Sequence, residues 1–413
     1  MTQRPIIDAL LEAILNGDFD SLTKIEGSRA AEVADVRMLL CTLNPEDIDL
    51  DLNLGLSSCE YVTPIFEGPR GHFISRHTIV QSRLTGGKSN VMIDYSIGFD
   101  SNFAEKLRAL MNGESIQPAD RDRVMSVLKL KANNQKVQFD CMPFLFENVR
   151  LARDNDKNKR PLNTLVAFRM LDHLNWDAFR ADPTKLVLNG DADILKKSLM
   201  PKEEQFLKEQ YATEEIARHE ARVLGVQALL LRFATLWHAH KRDKARMWSE
   251  LVDFCIFELG SLPMTELALI WCGMSTKDPA PFFGPITGKS KTMLAEIKGM
   301  AWDMAHLRIL EKMASQSTLG SFFIPYFVSL DARWRNLLRL NPIRVMLVDD
   351  GGKSILFGRA NEREFQVALG ECWSDKAKAQ MSSELVEARR IAAKTPDITA
   401  MSRLVEDEER SWQ

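Results

Sequence analysis

Two apolar segments, each followed by an aspartate and then by a helical pattern, limit the possible folds more than any other feature of the chain. "VMIDYSIGF" covers residues 91–99 and precedes Asp100, and "FFIPYFVSL" covers residues 322–330 and precedes Asp331. Runs of this kind, rich in β-branched and aromatic residues, are typical of strands. A third such run, "IRVMLVDDG", begins at Ile343. Because strands that alternate with helices are joined by crossovers, the pattern predicts an α/β fold with a parallel sheet.

The rest of the chain is predicted to be mainly helical. "EVADVRMLLCTL" (32–43) reads as a helix, "GHFISRHTIVQSRL" (71–84) as a strand, and residues 201–260 as long helices packed beside the sheet. Four apolar side chains of that last stretch are expected in the core: Leu229, Leu230, Phe233 and Leu236. The predicted organisation is an N-terminal helical and strand region (1–89), a core (90–350) with a helical insertion at about 150–285, and a charged helical C-terminal extension (351–413).

Composition limits the partners and the compartment. The 413 residues carry a formal net charge of −3, so overall charge gives no support for nucleic-acid binding, although a local basic patch is compatible with it. No run of 18 apolar residues is present, and the six cysteines form no CxxC pair. We therefore predict a soluble, cytoplasmic protein with reduced thiols and no membrane partner.

Four acidic residues are the candidate functional side chains. Asp100 and Asp331 follow strands, at the sheet edge where α/β proteins bind ligands, while Glu147 and Asp303 lie in apolar helical patterns. A buried carboxylate is costly unless it is paired or bound to a metal. Each acid also has a purely structural explanation. Asp100 and Asp331 would cap helices, Glu147 would be exposed, and Asp303 would form a salt bridge to Arg308 or a nearby lysine.

The order and surroundings of these acids resemble the PIN-like nuclease domain. That family opens with an apolar strand followed by Asp, Ser or Thr, Asn and an apolar residue, as in "FDSNF" (99–103). Its second acid is a helical glutamate, for which Glu147 is the best match. The third and fourth acids match "WDMAHL" (302–307) and "VSLDARW" (328–334). The resemblance covers less than a third of the chain.

The resemblance implies a PIN-like parallel core and a metal-dependent endonuclease. Asp100, Asp303 and Asp331 would be ligands of Mg²⁺ or Mn²⁺, an ion that lowers the pKa of a bound water and neutralises charge at phosphorus. Glu147 would be the fourth catalytic acid, either holding a metal-bound water or acting as the general base. The implied substrate is nucleic acid, with single-stranded RNA preferred over DNA.

Five further residues near these motifs are candidates for orienting the acids or for contacting substrate phosphates: Asp94, Ser101, Asn102, Arg308 and Arg333. The carboxylates of Asp100, Asp303 and Asp331 are expected within about 8 Å of one another, close enough to share cations.

Two other functions remain compatible with the sequence. In a non-catalytic interaction protein, the acids would be ordinary caps and the helical region would bind a protein partner. In a metal-dependent phosphohydrolase, the same acids would act on a small nucleotide.

Overall fold

The computed structural model describes residues 5–43, 59–68, 70–87, 89–134, 136–276, 278–288, 290–316, 321–352 and 354–412, and about 63% of it is helical. The strands are β1 (Val36–Thr42), β2 (Val62–Pro64), β3 (Arg70–Ile74), β4 (Ile93–Phe99), β5 (Val137–Asp140), β6 (Phe322–Val328), β7 (Ile343–Asp349) and β8 (Ser354–Arg359). The helices are α1 (Ile6–Asn16), α2 (Phe19–Ser28), α3 (Ala30–Val33), α4 (Arg76–Leu84), α5 (Ser101–Met111), α6 (Pro118–Asn133), α7 (Met142–Arg153), α8 (Arg160–Met170), α9 (Trp176–Ala181), α10 (Ala192–Gln210), α11 (Glu214–His240), α12 (Lys244–Phe257), α13 (Met264–Met274), α14 (Gly284–Gly288), α15 (Met293–Ala314), α16 (Ala332–Leu340), α17 (Glu362–Glu371), α18 (Asp375–Ala379), α19 (Ser383–Ala392) and α20 (Ile398–Arg410).

The strands form two small sheets, and the predicted parallel PIN-like core is wrong. One sheet has the order β3-β1-β7-β8 and is antiparallel throughout. The other has the order β2-β6-β4-β5, in which β4 runs parallel to β5 and β6 while β2 runs antiparallel to β6. The third predicted strand, β7, therefore belongs to a different sheet from β4 and β6. In its sheet, β7 and β8 form a hairpin, and β1 pairs antiparallel with β3 and β7.

Two incorrect secondary-structure predictions explain why the antiparallel sheet was not predicted. The segment 32–43, predicted as a helix, contains β1, which lies between β3 and β7. A short, almost continuous apolar run such as this cannot be distinguished from a buried helix by its periodicity. The segment 71–84, predicted as one strand, changes to helix α4 after β3 because Ser75 and Thr78 form a capping box.

The prediction of parallel strands is correct for β4 and β6, the pair that positions the acids. Strands β4 and β6 are neighbours in register, so Phe99 lies beside Val328 at the carboxyl end of both strands. The Asp100 amide continues the ladder by donating to the Val328 carbonyl at 3.1 Å. The segments that follow the two strands therefore leave the sheet side by side.

Helix α7 packs unusually close to β4. A Cβ atom on Gly98 would lie 2.9 Å from Cγ of Pro143, so only glycine permits this approach without displacing the helix. Pro143 stands in the first turn of α7, where its missing N–H has no consequence. This contact brings the middle of α7, and with it Glu147, to the end of β4.

The long helices form the main core beside the second sheet. Helix α11 contacts α15 and α20, and α15 contacts β6. Leu229, Leu230, Phe233 and Leu236 are all buried, as predicted from their spacing. Within the described ranges, the helices are too short or too polar to cross a membrane.

Candidate functional site

Asp100 and Asp331 lie at the ends of the parallel strands β4 and β6 and begin the helices that follow. The Asp100 carboxylate accepts a hydrogen bond from the Phe103 amide at 2.7 Å and caps α5. Asp331 accepts from the Arg333 amide at 2.8 Å and caps α16. Both aspartates thus fulfil the capping role that the sequence allowed, whatever else they do.

Ser329 connects these two aspartates. Its hydroxyl is buried, hydrogen-bonds to the Asp100 carboxylate, and accepts a hydrogen bond from the Asp331 amide at 3.0 Å. Asp100 and Asp331 are therefore neighbours on opposite sides of one serine. Ser329 was not singled out from the sequence, although the pattern "VSLDARW" places a hydroxyl at this position.

Glu147 approaches the same strand end from α7. Its Oε2 accepts a hydrogen bond from the Ser101 hydroxyl, and the Asn148 amide donates to that hydroxyl at 2.6 Å. On its other side, Oε2 lies 3.9 Å from Nε2 of His306. Burial lowers the pKa of His306, with the Glu147 charge opposing the change, so the imidazole favours its neutral form. Asn148 and His306 were not predicted as site residues, although each lies beside or within a motif that was quoted.

Asp303 is the most unusual acid of the cluster. It lies in the middle of α15, is half-buried, and caps no helix. Within the described parts of the chain, we find no hydrogen bond or ion pair that satisfies its carboxylate. Burial raises the pKa of Asp303 well above its usual value, and the negative charges of the three other acids raise it further. The Arg333 charge opposes this rise only in part.

Asp100 shows the same effect to a smaller degree. Its side chain is buried, and burial raises its pKa to about 6, with a smaller contribution from the Glu147 charge. Hydrogen bonds from the Phe103 amide, the Ser329 hydroxyl and the Leu330 amide limit this rise because they stabilise the ionised form. The site therefore concentrates negative charge that the surrounding protein only partly balances.

A cavity of about 240 Å³ opens beside the cluster. Three of the acids line it, Glu147, Asp303 and Asp331, and Arg333 and Asn102 are exposed beside them. Arg333 also forms an ion pair with Asp331 at 3.3 Å. The cavity gives solvent and small ligands access to these three carboxylates, whereas Asp100 is buried and does not line it.

The donor chemistry of the site fits a hard divalent cation, but the ligands are not preassembled. Carboxylate oxygens are the ligands that Mg²⁺ and Mn²⁺ prefer, and Asp303 lacks any other partner that would balance its charge. In the described residues, however, no three His, Cys, Asp or Glu side chains converge closely enough to hold a metal ion. Metal binding would therefore require the carboxylates to turn toward a common point.

Two of the predicted residues are not brought to the site. Asp94 is the second residue of β4 and pairs with Phe323 at the far end of the sheet, about 20 Å from Asp100 at the usual rise per residue. Arg308 hydrogen-bonds Glu266 and Glu311 in another part of the molecule. It therefore neither pairs with Asp303 nor reaches a substrate at the acids.

Comparison with known proteins adds no independent evidence. No family model, curated protein or solved structure matches the chain. The resemblance to PIN-like nucleases is therefore a hypothesis that rests on the acids alone.

Proposed function

We propose that the chain is a metal-dependent hydrolase of phosphodiester bonds in nucleic acid, with the acidic cluster as its active site. The main support for this proposal is the environment of Asp303. A half-buried carboxylate with no hydrogen-bond donor, surrounded by three other acids, raises the free energy of the folded protein unless it is protonated or meets a cation. Perturbed groups that line a cavity are more frequent at functional sites than elsewhere.

Asp100, Asp303 and Asp331 are the residues that would hold the ion, Mg²⁺ or Mn²⁺. When bound, such an ion supplies charge neutralisation at phosphorus and a water of lowered pKa. The helix caps and the contacts with Ser329 hold Asp100 and Asp331 side by side at the ends of their strands. Only the side chains, and not the backbone, would therefore have to move when an ion binds.

Glu147 is the proposed general base. Ser101 and Asn148 fix its Oε2 through a chain of two hydrogen bonds, and the carboxylate remains partly accessible from the cavity. It can therefore accept a proton from an attacking water on the cavity side. Arg333 and Asn102, exposed at the same cavity, are the groups that could contact phosphates of the substrate.

The size of the cavity favours a polymer over a free nucleotide. A volume of about 240 Å³ is below the roughly 300–1,000 Å³ usual for sites that enclose a small molecule. A strand passing over the cavity needs to insert only one phosphate. Recessed acids are also easier to reach for an unpaired strand than for a duplex, so we propose single-stranded nucleic acid as the substrate. The preference for RNA over DNA comes only from the resemblance to PIN-like nucleases.

The test is cleavage of end-labelled single-stranded RNA and DNA oligonucleotides, with Mn²⁺ or with EDTA. We expect wild-type protein to cleave RNA only with the metal, and Asp303→Asn to lose this activity. Asp94→Asn is the matched control, because it removes one carboxylate from β4 at the end away from the site, and it should remain active. Cleavage in EDTA, or equal cleavage by Asp303→Asn, would contradict the proposal.

One observation favours a different function. Asp100 and Asp331 both have complete capping roles, which is what a non-catalytic interaction protein would require of them. For such a protein, neither oligonucleotide would be cleaved, and Mn²⁺ would leave the melting temperature unchanged.

A further inference from the structure

A second and larger cavity lies between α11, α15, β8 and the loop that follows α12. Its volume is about 740 Å³, within the range of small-molecule binding sites. Apolar side chains form much of its wall, among them Val226, Leu259, Leu262, Ile355 and Phe357. Gly225 widens the space beside α11, since a Cβ atom there would lie 3.4 Å from Leu259.

The polar part of this cavity contains one guanidinium that forms no ion pair with a carboxylate of the described residues. Both oxygens of Glu266 accept hydrogen bonds from Arg308. Of the Glu311 oxygens, Oε2 accepts from Arg308 and Oε1 accepts from Arg359. Both glutamates are buried, and each of their oxygens already accepts a hydrogen bond from Arg308 or Arg359.

This unpaired guanidinium belongs to Arg222. It lines the cavity, and within the described residues it forms no hydrogen bond or ion pair. Two other charged groups on the wall are already engaged. Lys312 pairs with Glu215, and the Asp397 carboxylate caps α20 through the Thr399 amide.

The pKa of Arg222 is lowered by burial first and by the nearby Arg308 charge second, with Glu266 and Glu311 opposing the change. The protein therefore keeps a cation in an unfavourable position, facing an open space. An anionic ligand would supply the missing partner.

We propose that this cavity binds a small, mainly apolar molecule with a single carboxylate, which pairs with Arg222 while its apolar part lies against Leu259, Ile355 and Phe357. A planar carboxylate matches the two parallel N–H donors of a guanidinium. A single negative charge fits better than a dianion such as phosphate, because Glu266 and Glu311 stand close by and would repel a second charge. This proposal is independent of the acidic cluster.

Calorimetric titration with octanoate tests the proposal, with octan-1-ol as the uncharged probe of equal chain length. We expect octanoate to bind the wild-type protein, and octan-1-ol to bind at least about tenfold more weakly, as a charge-assisted hydrogen bond implies. Arg222→Met should weaken octanoate binding by a similar factor. Arg218→Met is the matched control, because this residue lies one turn earlier on α11, is half-exposed and already pairs with Glu214. It should bind octanoate nearly as the wild type does.

Three results would overturn the proposal: no binding of octanoate to the wild-type protein, equal binding of octanoate and octan-1-ol, or unchanged binding in Arg222→Met. The comparison of the two probes uses wild-type protein, so it remains decisive if the variant fails to fold. Since Arg222 forms no hydrogen bond, however, we expect the melting temperature of Arg222→Met to equal or exceed that of the wild type.

Discussion

Replacing Asp100 by asparagine should stabilise the metal-free protein at neutral pH, because the buried carboxylate is ionised there at a cost. Its pKa is about 6 in the folded protein and 3.8 in the unfolded reference. A difference of about two pKa units corresponds to about 3 kcal/mol, since each unit is worth about 1.4 kcal/mol. Asparagine has only one oxygen for the three groups that donate to the carboxylate, which are the Phe103 amide, the Ser329 hydroxyl and the Leu330 amide, and the lost hydrogen bonds offset the gain by about 1–2 kcal/mol. The expected net gain at pH 7.5 is therefore about 1–2 kcal/mol.

The pH dependence identifies the cause of this gain. The pKa of Asp100 is higher in the folded protein than in the unfolded protein, so between these two values the folded protein binds more protons than the unfolded protein does. The contribution of Asp100 to the free energy of unfolding therefore falls as the pH rises through that window. At pH 4.5 the ionisation cost is only about 1 kcal/mol, which the lost hydrogen bonds offset, so Asp100→Asn should be no more stable than the wild type.

Urea unfolding followed by tryptophan fluorescence, in EDTA at pH 7.5 and pH 4.5, measures both values. Asp122→Asn, an exposed position on α6, controls for the loss of a surface carboxylate and should change stability little. A variant less stable than wild type at pH 7.5 would refute the burial argument. An equal gain at both pH values would show that ionisation is not its cause.

Two further substitutions test other parts of the structure. Asp331→Asn keeps an oxygen that can accept from the Arg333 amide, so the metal-free variant should be at least as stable as the wild type. The same substitution should abolish Mn²⁺-dependent cleavage. If Mn²⁺ raised the melting temperature of the variant as much as that of the wild type, Asp331 would be excluded as a ligand. Arg308→Met leaves Glu266 without a partner in a buried position and should cost about 3–5 kcal/mol in urea unfolding. A loss of less than about 1 kcal/mol would contradict the role of that network in the core.

The placement of Asp100 and Asp331 could be predicted because it depends on local signals. An apolar run that ends in an acid and is followed by a helical pattern identifies a strand end and a cap together. Strands β4 and β6 are adjacent and parallel, so the two residues were correctly expected at one edge. Asp303 and Glu147 were selected as costly carboxylates in apolar helices, and their charges do act on one another.

The sheet topology could not be predicted, because strand pairing depends on segments whose local patterns are weak. Strand β1 has an apolar run that suits a helix equally well, and β2 is only three residues long. The reversal from β7 to β8 uses Asp349, which accepts a hydrogen bond from the Gly352 amide at 2.7 Å. The sequence "DDGG" carries this turn signal, and it was read as part of a strand end.

The hydrogen-bond partners of the acids could not be predicted from sequence patterns, because these contacts join segments that are distant in the chain. Ser101 and Asn148 are 47 residues apart and meet only because Gly98 lets α7 approach β4. Arg308 was expected near the acids because it follows Asp303 by five positions on the same helix. That spacing points it to another side of α15, where Glu266 from α13 and Glu311 bind it.

Direct titration of Mn²⁺ into the metal-free protein tests the central claim, that the acidic cluster is a cation site. We expect the wild-type protein to bind Mn²⁺ in a saturable manner, and Asp303→Asn to bind it at least about tenfold more weakly. Failure of the wild-type protein to bind Mn²⁺, or equal affinity in Asp303→Asn, would contradict the claim and leave the four acids as structural residues.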